Sequence, residues 1–136
     1  MDMTREDRVR AFHTAFGVDI DAAPTPTLLK LRRTLIDEEV KELFSDIDTA
    51  IAHLEKGEPV PHELYCNMLK ELADVQVVLS GAAVAVKPLR ELEEAFTRVC
   101  ASNMSKLGAD GHPIYREDGK VLKGPNYFKP DLSDLI

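Results

Sequence analysis

Between Thr25 and Val86 the chain carries two long runs of helical patterning, with only Gly57-Glu58-Pro59-Val60-Pro61 between them. A link that short favours antiparallel neighbours, so the two runs are expected to lie side by side. The first opens at Thr25-Pro26-Thr27 and continues to about Lys56, where Gly57 ends it. At ~1.5 Å per residue it would span roughly 45 Å, long enough to invite a bend or break. The second runs from about His62 to Val86, and its half from Leu72 onward is apolar nearly all round. A helix of that kind is buried.

The flanks extend the same architecture. Thr4 can cap a first helix, with Glu6 and Asp7 in its opening turn and Gly17 just past its end. Val9, Phe12 and Phe16 give it one apolar stripe, and His13 borders that stripe as a packed or half-exposed residue. Val18 to Pro26 reads as a connecting loop. Lys87-Pro88 breaks the third helix, and Pro88 is placed in the first turn of a fourth, which carries Leu89, Leu92, Phe96 and Val99 and ends near Lys106 to Gly108. Beyond Gly108, Ile114 to Leu122 reads as a short hairpin turning at Asp118-Gly119. Lys123 to Pro130 then reads as a strap laid across a neighbour or subunit. The expectation is an all-α fold in one domain over 1–136: a four-helix core with a C-terminal hairpin and strap over about 108–136.

A length of 136 residues suits one domain, and 44% hydrophobic content is enough for a core. The formal net charge of −7 argues against a protein that grips a nucleic-acid backbone, which wants a basic face. The most apolar run, Leu72 to Val86, is too short for a membrane span and is interrupted by Asp74. The N-terminus has no apolar segment of the signal-peptide kind. Cys66 and Cys100 sit inside helical patterns without paired spacing and read as buried free thiols of a reduced compartment. A soluble cytoplasmic protein with no membrane or nucleic-acid partner is expected.

Two acidic motifs carry the chemistry. Glu38, Glu39 and Glu42 fall within an arc of roughly 100° on the second helix. Glu71 and Asp74 share a face of the third. Taken alone, Glu38-Glu39-x-x-Glu42 is an ordinary solvated helix face, with Arg33 and Asp37 as an i,i+4 ion pair. Asp74 changes that balance, because it lies in the most apolar helix, where an unpaired carboxylate costs several kcal/mol. With Lys70 read as pointing away from it, Asp74 needs a partner from outside its own helix. Five carboxylates converging between antiparallel helices imply a divalent-metal site. The all-oxygen ligand set suits Mg²⁺ or Mn²⁺ better than Zn²⁺. A di-iron centre would want Glu-x-x-His, and none of His13, His53, His62 and His112 follows an acid at that spacing. There is no phosphate-cradling Gly-x-x-x-x-Gly-Lys-Ser/Thr loop and no Gly-x-Ser-x-Gly turn.

Glu38-Glu39-x-x-Glu42 followed by Glu71-x-x-Asp74 resembles the signature of the all-α nucleoside triphosphate pyrophosphohydrolases. That superfamily includes the MazG proteins, the dimeric dUTPases and phosphoribosyl-ATP pyrophosphohydrolase. Arg98 to Lys106 and Asp118 to Tyr127 are similar to its MazG-like branch, and the likeness covers about residues 27 to 130. It implies hydrolysis between the α- and β-phosphates of a nucleoside triphosphate, giving a monophosphate and pyrophosphate. Mg²⁺ held by Glu38, Glu39, Glu42, Glu71 and Asp74 would neutralise the phosphates and activate the attacking water. Glu39, at the edge of the arc, is assigned to orient or deprotonate that water. Asn103 and Lys106 are assigned to phosphate or nucleoside contact, with Lys120, Lys123 and Tyr127 as further substrate contacts. The resemblance also implies a homodimer or homotetramer, and by analogy a house-cleaning role toward pyrimidine deoxynucleotides such as dUTP or dCTP. Phosphoribosyl-ATP hydrolysis and a non-catalytic helical interaction module stay open as alternatives.

Overall fold

The computed structural model describes residues 2–136. Four α-helices dominate it: α1 (Arg5–Phe16), α2 (Pro26–Glu55), α3 (His62–Ala85) and α4 (Leu92–Met104). A two-stranded antiparallel hairpin follows, β1 (Ile114–Tyr115) pairing with β2 (Val121–Leu122), with Ile114 opposite Leu122. The fold is all-α with a short C-terminal hairpin, and the local signals explain its boundaries. Thr4 and Asp7 form a reciprocal capping box on α1, which Gly17 closes at φ 68° in the left-handed region. Thr25 caps α2 by accepting from the Leu28 amide, and Pro26 fills the first turn, where its missing N–H costs nothing. α2 then runs unbroken for 30 residues, so the expected break does not occur. Nor does Pro88 open the fourth helix. It sits in a separate 3-10 turn, Lys87–Leu89, and α4 begins at Leu92.

The chain divides into two compact units, one up to Arg90 and the other from Glu91 to Ile136. In the first, α3 packs on both α1 and α2. Its centre is the far end of α3: Ala85 and Val86 cluster with Leu28 and Ala22. The loop before α2 is tied there by backbone bonds from Asp21 to Val84, Ala22 to Ala85 and Lys87 to Ala22, at 2.8, 2.8 and 3.0 Å. α3 is buried only over its last turns, from Ser80 onward, whereas Leu69, Leu72 and Val77 are 70%, 53% and 48% exposed. The all-round burial expected of its apolar half therefore holds for the end alone. α1 shows a similar exchange. Phe12 and Phe16 are exposed and pack on each other with ring centroids 4.7 Å apart, while His13 takes the buried place beside Val9. His13 is held there by a 2.8 Å hydrogen bond between Nδ1 and the Asp19 carbonyl. Both cysteines are free, as expected, but exposed and not buried.

In the second unit the tail folds back on α4. Arg98 pairs with Glu94 at 3.0 Å and Asp134 at 2.6 Å, and donates to the Asp131 carbonyl at 2.9 Å. Ser102 donates to the Phe128 carbonyl at 2.8 Å, and the Gly124 amide donates to the Lys106 carbonyl at 2.8 Å. The strap expected to cross a neighbour thus has its own helix as an anchor. Among the described residues no helix is long and apolar enough to cross a membrane.

Candidate functional site

The α2–α3 seam is built from one stripe of α2. Arg32, Glu39 and Asp46 follow one another at seven-residue intervals, which returns to nearly the same side of a helix. Arg32 lies against Gly81, Glu39 senses the charge of Asp74, and Glu71 senses that of Asp46. Partners descend along α3 as they rise along α2, which is the antiparallel arrangement expected of the short link. Gly81 permits the approach at the first level, since a Cβ there would collide with the Arg32 guanidinium.

Four of the five expected carboxylates face one another across this seam. Glu39 is half-buried, and its pKa is raised by burial first and then by the charges of Glu42 and Asp74. Glu71 is also half-buried and is pushed up to about 7, by burial first, then by its hydrogen bond to Asp46 and the charges of Asp46 and Glu42. Glu42 is exposed and acts on both, so it stands between them electrostatically. Glu38 is exposed at the margin and acts on its neighbour Glu39. One oxygen on each of Glu39 and Glu71, Oε2 in both cases, is buried with no hydrogen-bond partner. Carboxylate oxygens withdrawn from water in this way are costly unless something positive or protonated meets them.

Asp74 departs from expectation. Lys70, four residues earlier, places Nζ 2.7 Å from Asp74 Oδ2, because i and i+4 share a helix face. Asp74 is therefore no lone carboxylate, and its side chain is 33% exposed. The Lys70 ammonium also lies in the field of Glu39 and Glu42, and these bonds and charges raise its own pKa. Asp37 likewise pairs with Lys41 at 2.7 Å in place of Arg33.

Hard oxygen donors and orphaned buried oxygens fit a divalent cation of the Mg²⁺ kind. The fit lies in the donor chemistry, because among the described residues no three His, Cys, Asp or Glu side chains already stand in a metal-holding arrangement. Two members of the seam escaped the sequence reading. Asp46 had a signal, lying four residues after Glu42 and seven after Glu39. Arg32 is 6% exposed with Nε unpartnered, and nothing in its sequence context distinguishes it from the exposed Arg33 beside it.

The expected substrate contacts belong to the second unit. Asn103 is exposed in the last turn of α4, and the half-buried Lys106 just beyond it donates its amide to the Asn103 carbonyl at 3.2 Å. Lys120 is exposed in the hairpin turn. Lys123 and Tyr127 do meet, with the ammonium 4.8 Å from the ring centroid. In the first unit a groove of about 520 Å³ runs between α1 and α3, lined by apolar Val9, Leu69, Leu72 and Val77, with Arg5 and Arg8 also on its wall. It holds none of the five carboxylates. No protein-family model matches the chain, and no curated protein matches it either.

Proposed function

We propose that the chain is a Mg²⁺-dependent nucleoside triphosphate pyrophosphohydrolase of MazG-like type. The observation that carries this reading is the meeting of Glu39, Glu42, Glu71 and Asp74 across two antiparallel helices, with an orphaned buried oxygen on Glu39 and another on Glu71. Mg²⁺ or Mn²⁺ bound there would supply charge neutralisation for the triphosphate and a more acidic water. The chain's own residues do the rest. Glu42, Glu71 and Asp74, with Glu38 at the margin, hold the cation. Glu39, whose burial and acidic neighbours already make its carboxyl more basic than usual, orients or deprotonates the attacking water. Asn103, Lys106, Lys120, Lys123 and Tyr127 are assigned to the nucleotide, as the sequence resemblance implies.

The same reading includes self-association in a reducing, cytoplasmic setting. α3 is apolar nearly all round yet leaves Leu69, Leu72, Val77 and Leu79 open to water, and α2 leaves Leu31, Phe44 and Ile51 open. A second copy of this chain, carrying the same apolar faces, is the occupant proposed for them.

The test is to mix the purified protein with Mg²⁺ and a panel of ribo- and deoxynucleoside triphosphates that includes dUTP and dCTP, and to detect pyrophosphate. Release of pyrophosphate with the matching monophosphate supports the assignment. Phosphoribosyl-ATP belongs in the same panel and separates the histidine-pathway alternative. If nothing is turned over and Mg²⁺ leaves the melting temperature unmoved, the chain is a helical interaction module. The Lys70–Asp74 pair favours that second reading, since it neutralises Asp74 without any metal.

A further inference from the structure

We infer that the groove between α1 and α3 receives the outer stripe of α2 from a second copy of this chain. The inference rests on the self-association reading above, names the two surfaces that meet, and is independent of the carboxylate site. The groove has two unlike walls. Leu69, Leu72 and Val77 of α3 make an apolar one, while Arg5 and Arg8 stand on the α1 side. These arginines, three residues apart, share a helix face. Both are exposed, and neither joins an ion pair among the described residues. In a chain of net charge −7, unpaired cations beside an apolar wall are matched by acids on an apolar ridge. Phe44, Asp48, Ile51 and Glu55 form such a ridge on α2, and all four are exposed. At ~100° per residue they fall within an arc of roughly 60°. Phe44 lies roughly 160° round the helix from Asp46, so the ridge faces away from the α3 seam. Asp48 and Glu55 likewise join no ion pair among the described residues. Within the arc the two acids lean to one side and Phe44 and Ile51 to the other, as the two walls require. Phe44 to Ile51 rises roughly 10 Å and Leu69 to Val77 roughly 12 Å, so the apolar parts match in length. One chain thus carries both halves, and a two-fold pair of copies covers each of them twice. Apolar burial supplies the affinity, and the arginine–carboxylate pairs fix which way round the ridge lies.

The test is sedimentation equilibrium of the full chain, with far-ultraviolet circular dichroism to check the helical signal of every variant. Arg5→Glu/Arg8→Glu sets acids against acids, and Asp48→Lys/Glu55→Lys sets cations against cations. Each double variant is expected to raise the dimer dissociation constant at least about 100-fold. All four changes together restore opposite charges and should return it to within about tenfold of the wild type. The reversals suit their helices: Arg5 opens α1, where an acid is favoured, and Glu55 closes α2, where a cation is. Should a reversed variant lose helical signal, the neutral Arg5→Gln/Arg8→Gln or Asp48→Asn/Glu55→Gln takes its place, with about tenfold weakening expected. An unchanged dissociation constant in a folded double variant overturns the inference. So does a four-change variant that stays as weak as the double variants, because the arginines and the acids then do not meet. A wild type that is monomeric throughout ends the self-association reading, and the inference falls with it. If the wild type associates and the charge variants associate equally well, the inference alone is lost.

Discussion

Lys70 Nζ stands 2.7 Å from Asp74 Oδ2, so the acid with the strongest sequence claim to a metal already has a cation beside it. Lys70 is also within the influence of Glu39 and Glu42. A bound Mg²⁺ would have to compete with that ammonium for Asp74. Lys70→Ala is therefore expected to tighten Mg²⁺ binding, read as a larger Mg²⁺-induced rise in melting temperature, with little change in the metal-free melting point because the Lys70 side chain is mostly exposed. An unchanged Mg²⁺ response would place Lys70 outside the site.

Removing a ligand should abolish the response instead. Glu42→Ala and Asp74→Ala are expected to fold, since Glu42 is exposed and Asp74 only half-buried. Both should lose the Mg²⁺-linked stabilisation and at least about 100-fold of any pyrophosphate release, a loss of about 2.7 kcal/mol in transition-state stabilisation. Thermal melts with and without Mg²⁺ check the first, and coupled pyrophosphate detection the second. Retention of both in Asp74→Ala would remove the carboxylate cluster from the mechanism.

Glu71 makes the metal-free protein sensitive to pH in a defined direction. Its carboxyl is pushed up to about 7 in the fold against 4.5 ordinarily, by burial first and then by Asp46. Between those values the folded protein holds a proton that the unfolded chain has released. Its contribution to stability is full below pH 4.5 and is lost as pH rises through about 7. In chelator, the wild type should lose melting temperature across that window relative to Glu71→Gln, which carries no titrating group there. Parallel curves for the two proteins would contradict the assignment.

Gly124 governs how the tail is seated. A Cβ at this position would run into the backbone carbonyls of Lys106 and Leu107, which cannot swing aside as a side chain can. Gly124→Ala should cost about 1–3 kcal/mol in the second unit, in the range of overpacking. Limited proteolysis should then cut after Gly108 far sooner than in the wild type, while the far-ultraviolet helical signal persists.

The exposed apolar face of α3 provides the last test. Leu69 and Leu72 lie three residues apart, and both line the groove between α1 and α3. Leu72→Glu is expected to shift the mass measured by light scattering from an oligomer to a monomer, with secondary structure intact because the residue is 53% exposed in the single chain. A wild type that is monomeric at micromolar concentration would end the self-association reading.

The boundaries of α1, α2 and α3 were legible in the sequence because each depends on neighbours along the chain, whereas Pro88 went into a separate turn and α4 began only at Leu92. Thr4 with Asp7, Thr25 before Pro26, and the Gly57-to-Pro61 link act within a few residues of themselves. The acidic spacing was legible for the same reason, since a helix converts three- and four-residue intervals into a shared face. Lys70 obeys that rule as well, and its pairing with Asp74 lay within reach of the sequence. What no local pattern contains is the register between α2 and α3. That register sets Arg32 against Gly81, Glu39 beside Asp74 and Asp46 on Glu71. It arises from how closely two helices pack at a glycine and how the link between them turns. For that reason the tertiary structure alone decided that a sixth carboxylate joins the seam, that His13 and not Phe12 is buried, and that α3 hides only its last turns.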